Sequence, residues 1–119
     1  MANIDNKVLF LNIDGSEYYL PGEGPIYYIV GGGTAVSNTE AAWTGSHPRI
    51  SSYYEGLTII YKVGIAGDTT TTLNINNLGA VTVVKNATTA ISTAYPVNSI
   101  VILVYTTDSS GTSYWKVSD

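Results

Sequence analysis

Apolar positions fall in short runs, separated by glycine, asparagine, aspartate, serine and threonine, which is the pattern of strands and turns. Residues 7–21, KVLFLNIDGSEYYLP, predict two strands around Asp14-Gly15, a pair suited to the positive backbone angles of a tight hairpin. Residues 25–33, PIYYIVGGG, are a third apolar run closed by three glycines. Residues 33–42 are small, polar and turn-prone, so they predict a loop or linker; Ser37 and Glu40 match a capping box with too short an apolar run behind it. The period then changes. Ser46 suits a helix cap, Pro48 a first turn, and Ile50, Tyr53 and Tyr54 share a helical face, with Gly56 placed to end the helix left-handed. A short helix is therefore expected near residues 47–55, delivering the chain into the strand LTIIYKVGI.

Strands fill the second half. Residues 69–86 predict a hairpin around Asn77-Leu78-Gly79, with Leu73 and Ile75 on one face. Residues 98–107, NSIVILVYTT, are apolar at nearly every position, which predicts burial on both faces. DSSGT (108–112) reads as a hairpin loop and SYWKVSD as the last strand. The fold class expected is all-β: a small antiparallel β-sandwich or barrel with one short helix. No internal repeat of fixed period is visible.

Composition strengthens this picture. Thr, Ser, Asn, Gly, Val, Ile and Tyr dominate the 119 residues, which favours strands over helices and fits one domain able to bury its own core. The net charge is −4 and the five cations are scattered, so the basic stripe that nucleic acid needs is missing. No run is long enough for a membrane span, and the N-terminus lacks the basic and apolar regions of a signal peptide. A surface of hydroxyls and amides is common in rigid extracellular attachment proteins.

The inventory for catalysis is thin. With no cysteine there is no thiol nucleophile, disulfide or cysteine metal site. The single histidine, His47, precedes a proline, and no serine has a nucleophile-elbow pattern around it, so its expected role is structural. A glycosidase needs two facing carboxylates; Glu55 and Asp68 are one imaginable pair, but their spacing does not demand it. One imidazole is too little for zinc, and Asp108 alone too little for calcium. No phosphate loop is present. The chain reads as a non-enzyme with no metal and no cofactor.

Binding or assembly remains. Residues 42–119 carry Trp43-x-Gly45, then Ile50, Tyr54-x-Gly56-Leu57, LTIIYK, TLNINNLGAVTV, YPVNSIVILVY and a terminal YWKV. This succession resembles a β-rich module of tail fibre and receptor-binding proteins from phages and prophages of gut bacteria. The resemblance implies a virion structural protein, extracellular when assembled, that forms a homotrimer, contacts other tail proteins and contributes to attachment at a host surface, with a surface glycan as the candidate partner there. It makes Trp43, Tyr54, Gly56 and Trp115 structural, with Trp43 and Tyr54 packing the helix onto the sheet and Trp115 closing the core.

Residues 1–34 lie outside the match and are expected to form a separate set of N-terminal strands, with the tail-fibre-like domain at 35–119. Their apolar runs either complete the same sheet or bury against neighbouring chains. The second choice puts Leu9, Leu11, Ile26 and Tyr28 in a trimer contact. The competing function is a monomeric carbohydrate-binding module, with Tyr95 and the hairpin residues Asp108 and Tyr114 as glycan contacts. A third is a purely architectural tail adaptor.

Overall fold

The computed structural model describes residues 10–12, 17–20, 24–85, 89–91 and 95–118. They form an all-β fold of eleven strands: β1 (Phe10–Asn12), β2 (Glu17–Leu20), β3 (Gly24–Val30), β4 (Gly32–Ala35), β5 (Glu40–Gly45), β6 (Thr58–Lys62), β7 (Thr70–Ile75), β8 (Ala80–Lys85), β9 (Thr89–Ala90), β10 (Ile100–Thr107) and β11 (Ser113–Val117). The sheet runs β1-β2-β3-β6-β10-β11-β8-β7-β5-β4, with β9 beside β8.

Two features curl that sheet into a barrel. Strand β8 changes partners along its length: Ala80 and Thr82 face Asn74 and Thr72 of β7, while Val83–Lys85 run parallel to Trp115–Val117 of β11. Strands β3 and β4, at opposite ends of the path from β3 onward, are separated in the chain only by Gly31. One bent strand thus supplies both ends, and the chain itself closes the ring.

The bend packs on Tyr61. Gly31 donates its N–H to the Lys62 carbonyl at 2.8 Å, and a Cβ at Gly31 would collide with the Tyr61 ring and that carbonyl. Tyr61 is wholly buried; its hydroxyl donates to the Thr44 carbonyl at 2.8 Å, with the Gly32 carbonyl a longer alternative at 3.3 Å. Burial pushes its phenol well above the usual tyrosine range. Trp43 stacks on it at 5.1 Å and donates its indole N–H to Ile65 O at 2.9 Å. Ala41, Trp43, Leu73, Ile75, Ile59 and Leu103 complete this part of the core by strict alternation along their strands.

A second aromatic group fills the other half. Trp115, also wholly buried, meets Tyr53 and Tyr105 edge-on at 5.5 and 5.4 Å, and the two tyrosines stack on each other at 5.0 Å. Its indole N–H has no acceptor at hydrogen-bond geometry among the described residues.

Several expectations change. The barrel is mixed rather than antiparallel, since β3–β6, β8–β11 and β5–β7 are parallel. Residues 33–42 contain most of β4 and the start of β5, joined by a turn in which Val36 N–H meets Glu40 O, instead of a linker. The division expected at 34/35 falls inside β4, and β3 sits in the barrel wall with Tyr27 and Ile29 in the core. Strands β1 and β2 pair on either side of Asp14-Gly15; that turn and Leu9 lie outside the described residues.

The expected helix near 47–55 is absent: residues 46–57 form a turn-rich loop. Two helical turns are marginal without strong packing, and here the backbone finds better partners across the barrel. Tyr54, expected to pack, is 48% exposed, while Tyr53 packs against the core instead. Gly56 does have positive φ, +90°, but at the third position of a turn closed by Leu57 N–H on Tyr54 O.

The closure account makes neighbouring glycines unequal. Gly31→Ala should cost more than about 3 kcal/mol, because Tyr61 and backbone must both yield. Gly32→Ala meets only Thr44 Oγ1, at 3.4 Å, and should change stability by less than about 0.5 kcal/mol. Urea unfolding of the two variants measures the difference; equal losses would contradict the closure account.

Candidate functional site

One end of the barrel is built around Asn76. The turn from β7 to β8 is closed by Leu78 N–H on Ile75 O, with Asn76 and Asn77 at φ +55° and +60°. Both central residues are left-handed, as a type I′ hairpin requires, so the turn is centred one residue before the Asn77-Leu78-Gly79 expected. The Asn76 amide then reaches across to the 46–57 loop. Its Nδ2 donates to His47 O (2.8 Å) and Ile50 O (2.6 Å), and its Oδ1 accepts His47 N–H at 3.0 Å. Tyr53 adds a second tie, donating to Gly79 O at 2.6 Å and accepting Ile75 N–H at 2.9 Å.

His47 is buried within this clamp. Its Nδ1 accepts the Arg49 N–H at 3.1 Å and its ring lies 4.7 Å from that of Tyr27. Its contacts are those of a folded corner. Glu55 anchors the far side of the loop, accepting Thr106 Oγ1 at 2.7 Å and Thr107 N–H at 2.8 Å. Asp68 lies at the opposite end of the barrel, where its backbone N–H and carbonyl both bond the Thr71 hydroxyl, so the two carboxylates do not face each other. Among the described residues no three His, Cys, Asp or Glu side chains come together as a metal site.

The three glycan candidates are split. Asp108 and Tyr114 belong to the β10–β11 hairpin, where the Asp108 carboxylate accepts Ser110 and Thr112 N–H at 3.0 Å each, with the Tyr114 side chain nearby. Tyr95 is half-buried against the core at the other end, its carbonyl holding Gly67 N–H. The eight residues of β10 separate the two places, about 25 Å.

The outer face of β3, β6 and β10 is the least expected surface. Register places Tyr28, Ile60 and Ile102 in one row, Val30, Lys62 and Ile100 in the next, and Ile26, Thr58 and Val104 in a third. Ile100 and Ile102 are 55% and 42% exposed and Val30 66%. Strand β10 was expected to be buried on both faces; its apolar outer face is open, because no described element lies over it. Ile26 and Tyr28, two of the four expected contact residues, belong to this face; Leu11 pairs with Tyr18, which pairs with Ile26. Ile60, Ile100 and Ile102 were missed. Their signal was the unbroken apolar runs in IIY and IVILV, read as core on both sides. At the Val104 end of the face, Val104, Thr106, Lys116, Val117 and Ser118 line an open groove of about 240 Å³. A second groove of about 350 Å³ follows the glycine bend, between Val30–Gly32 and Thr44–Ser46.

No known protein family matches the chain, and no curated protein or solved structure does either.

Two outcomes follow from this end of the barrel. Asn76→Ala removes three hydrogen bonds and a residue tolerant of positive φ, and should cost about 2–4 kcal/mol. Asn77→Gly keeps the turn and should be neutral within about 0.5 kcal/mol; urea midpoints compare them. The acid limb of stability is the second outcome. The Thr106 hydroxyl and then the Thr107 N–H hold the Glu55 carboxyl below its ordinary value, and the Thr112 N–H and Ser110 side chain do the same for Asp108. Both are depressed carboxylates, so their contribution is present above the unfolded-state value and is lost as pH falls through the folded one. Urea midpoints measured from pH 6 downward should fall in acid, and less steeply in Glu55→Gln; identical slopes would exclude Glu55 as a contributor.

Proposed function

We propose that this chain is a non-enzymatic structural module of a phage tail fibre, which assembles as a homotrimer through two rows of the outer face of β3, β6 and β10, Tyr28-Ile60-Ile102 and Val30-Lys62-Ile100, and leaves the Val104 end of the face open. The observation that carries the reading is that open face. A strand apolar on both sides normally lies between two layers, and here no second layer lies over it among the described residues. Further copies of the same chain supply it. The motif succession from Trp43 to Lys116 supports the tail-fibre assignment, with the virion as location, other tail proteins as neighbours and host-surface attachment as the role of the assembly. A monomeric sugar-binding module would have no need of this face.

Light scattering tests the reading. The chain should have three times its 12.7 kDa mass across a dilution series. Ile102→Lys should give folded monomers, whereas Thr82→Lys, exposed on β8 away from the face, should leave the trimer intact. Monomeric wild-type chain at every concentration would overturn the proposal.

A further inference from the structure

We infer that the groove along β10 and β11 is a binding site for a carboxylated saccharide, a single sugar-acid unit of a larger glycan. The inference rests on the attachment role proposed above and gives it a ligand class. The groove's volume, about 240 Å³, is below that of pockets for drug-sized ligands and suits one sugar ring. Its residues are placed by register: Val104 faces Lys116, and Thr106 faces Tyr114. Val104 and the stem of Lys116 offer an apolar floor for the C–H face of a ring.

The polar groups select the ligand. Lys116 makes no ion pair within the described residues, so its ammonium is available to one anionic group. Strands β3, β6, β10 and β11 carry no Asp or Glu, so no carboxylate on them competes for it. Thr106 spends its hydroxyl proton on Glu55 Oε2, which leaves its oxygen to accept from a ligand hydroxyl. Ser118 lines the groove with a hydroxyl that can donate or accept.

The same surroundings disfavour other anions. Glu55 and Asp108 border the Thr106–Tyr114 end, and both carboxyls are held ionised by their hydrogen bonds. A dianionic phosphate or an acidic peptide would meet that negative field, with one lysine in compensation. A monoanion carrying several hydroxyls meets the cation at one end and acceptors at the other. Asp108 and Tyr114, expected as glycan contacts from the sequence, frame this groove and do not fill it.

The test is an NMR titration of the full chain with D-glucuronate, D-glucose and glucose 6-phosphate as probes. Glucuronate should saturably shift the amides of Val104, Thr106, Lys116 and Ser118, with affinity at least fivefold above that for glucose. Lys116→Met should bring glucuronate down to the glucose level, and Lys116→Arg should retain the preference. No saturable shift at these amides, or an unchanged affinity in Lys116→Met, would overturn the inference. Tighter binding of glucose 6-phosphate would also overturn it, showing a simple anion site. Mass measured on the same samples separates the two claims: a trimer that fails to bind glucuronate removes the ligand alone, and a monomer that binds removes the fibre reading alone.

Discussion

The bend at Gly31 is the constraint on which the rest of the barrel depends. A seven-residue strand and a four-residue strand meet there with one residue between them, and each sits at a different end of the same run of neighbours. Glycine is required because the Tyr61 ring and the Lys62 carbonyl occupy the space that a Cβ would take. Tyr61 in turn spans the closure, its hydroxyl tied to Thr44 on β5 while its backbone pairs with Ile29 on β3. A buried phenol is costly unless its hydroxyl is bonded, so the hydrogen bond and the bend require each other. Gly45 belongs to the same arrangement: a Cβ there would lie 2.5 Å from Ile29.

Closure at one place lets the ends be made of loops. The Asn76 amide converts a hairpin turn into a clamp, so that the 46–57 loop covers the barrel end without helix or sheet of its own. Tyr53 then enters the core from this loop and joins Tyr105 and Trp115. The apolar wall is thereby continuous from Trp43 to Trp115. What the wall leaves uncovered is its outer side at β3, β6 and β10, and the assembly proposal begins there.

Much of this was legible in the residues. Alternation marked the strands β5 and β7, DSSGT marked the last hairpin, and the hydroxyl-rich composition marked an all-β chain. Three things were not. Helix signals at Ser46, Pro48 and Gly56 are local, while the bonds that decide the 46–57 loop come from Asn76, more than twenty-five residues away. The turn residue was misplaced by one because Gly79 advertises positive φ more loudly than Asn76 or Asn77, although all three adopt it. The run IVILV carries no sign of which side is covered within one chain, because an apolar side chain does not record what packs against it. For the candidate site, Asp108 and Tyr114 were visible as hairpin polar residues. Lys116 was not, because its value lies in what is absent around it in space.

The account's central claim is that two rows of the outer face of β3, β6 and β10 are buried against other copies of the chain. The most direct measurement uses a mixed sample in which half the molecules carry labelled isoleucine methyls, and detects only contacts between labelled and unlabelled molecules. The account predicts intermolecular contacts from the methyls of Ile60, Ile100 and Ile102, and none from the core residue Ile75. Intermolecular contacts absent from all three outer-face isoleucines would contradict it.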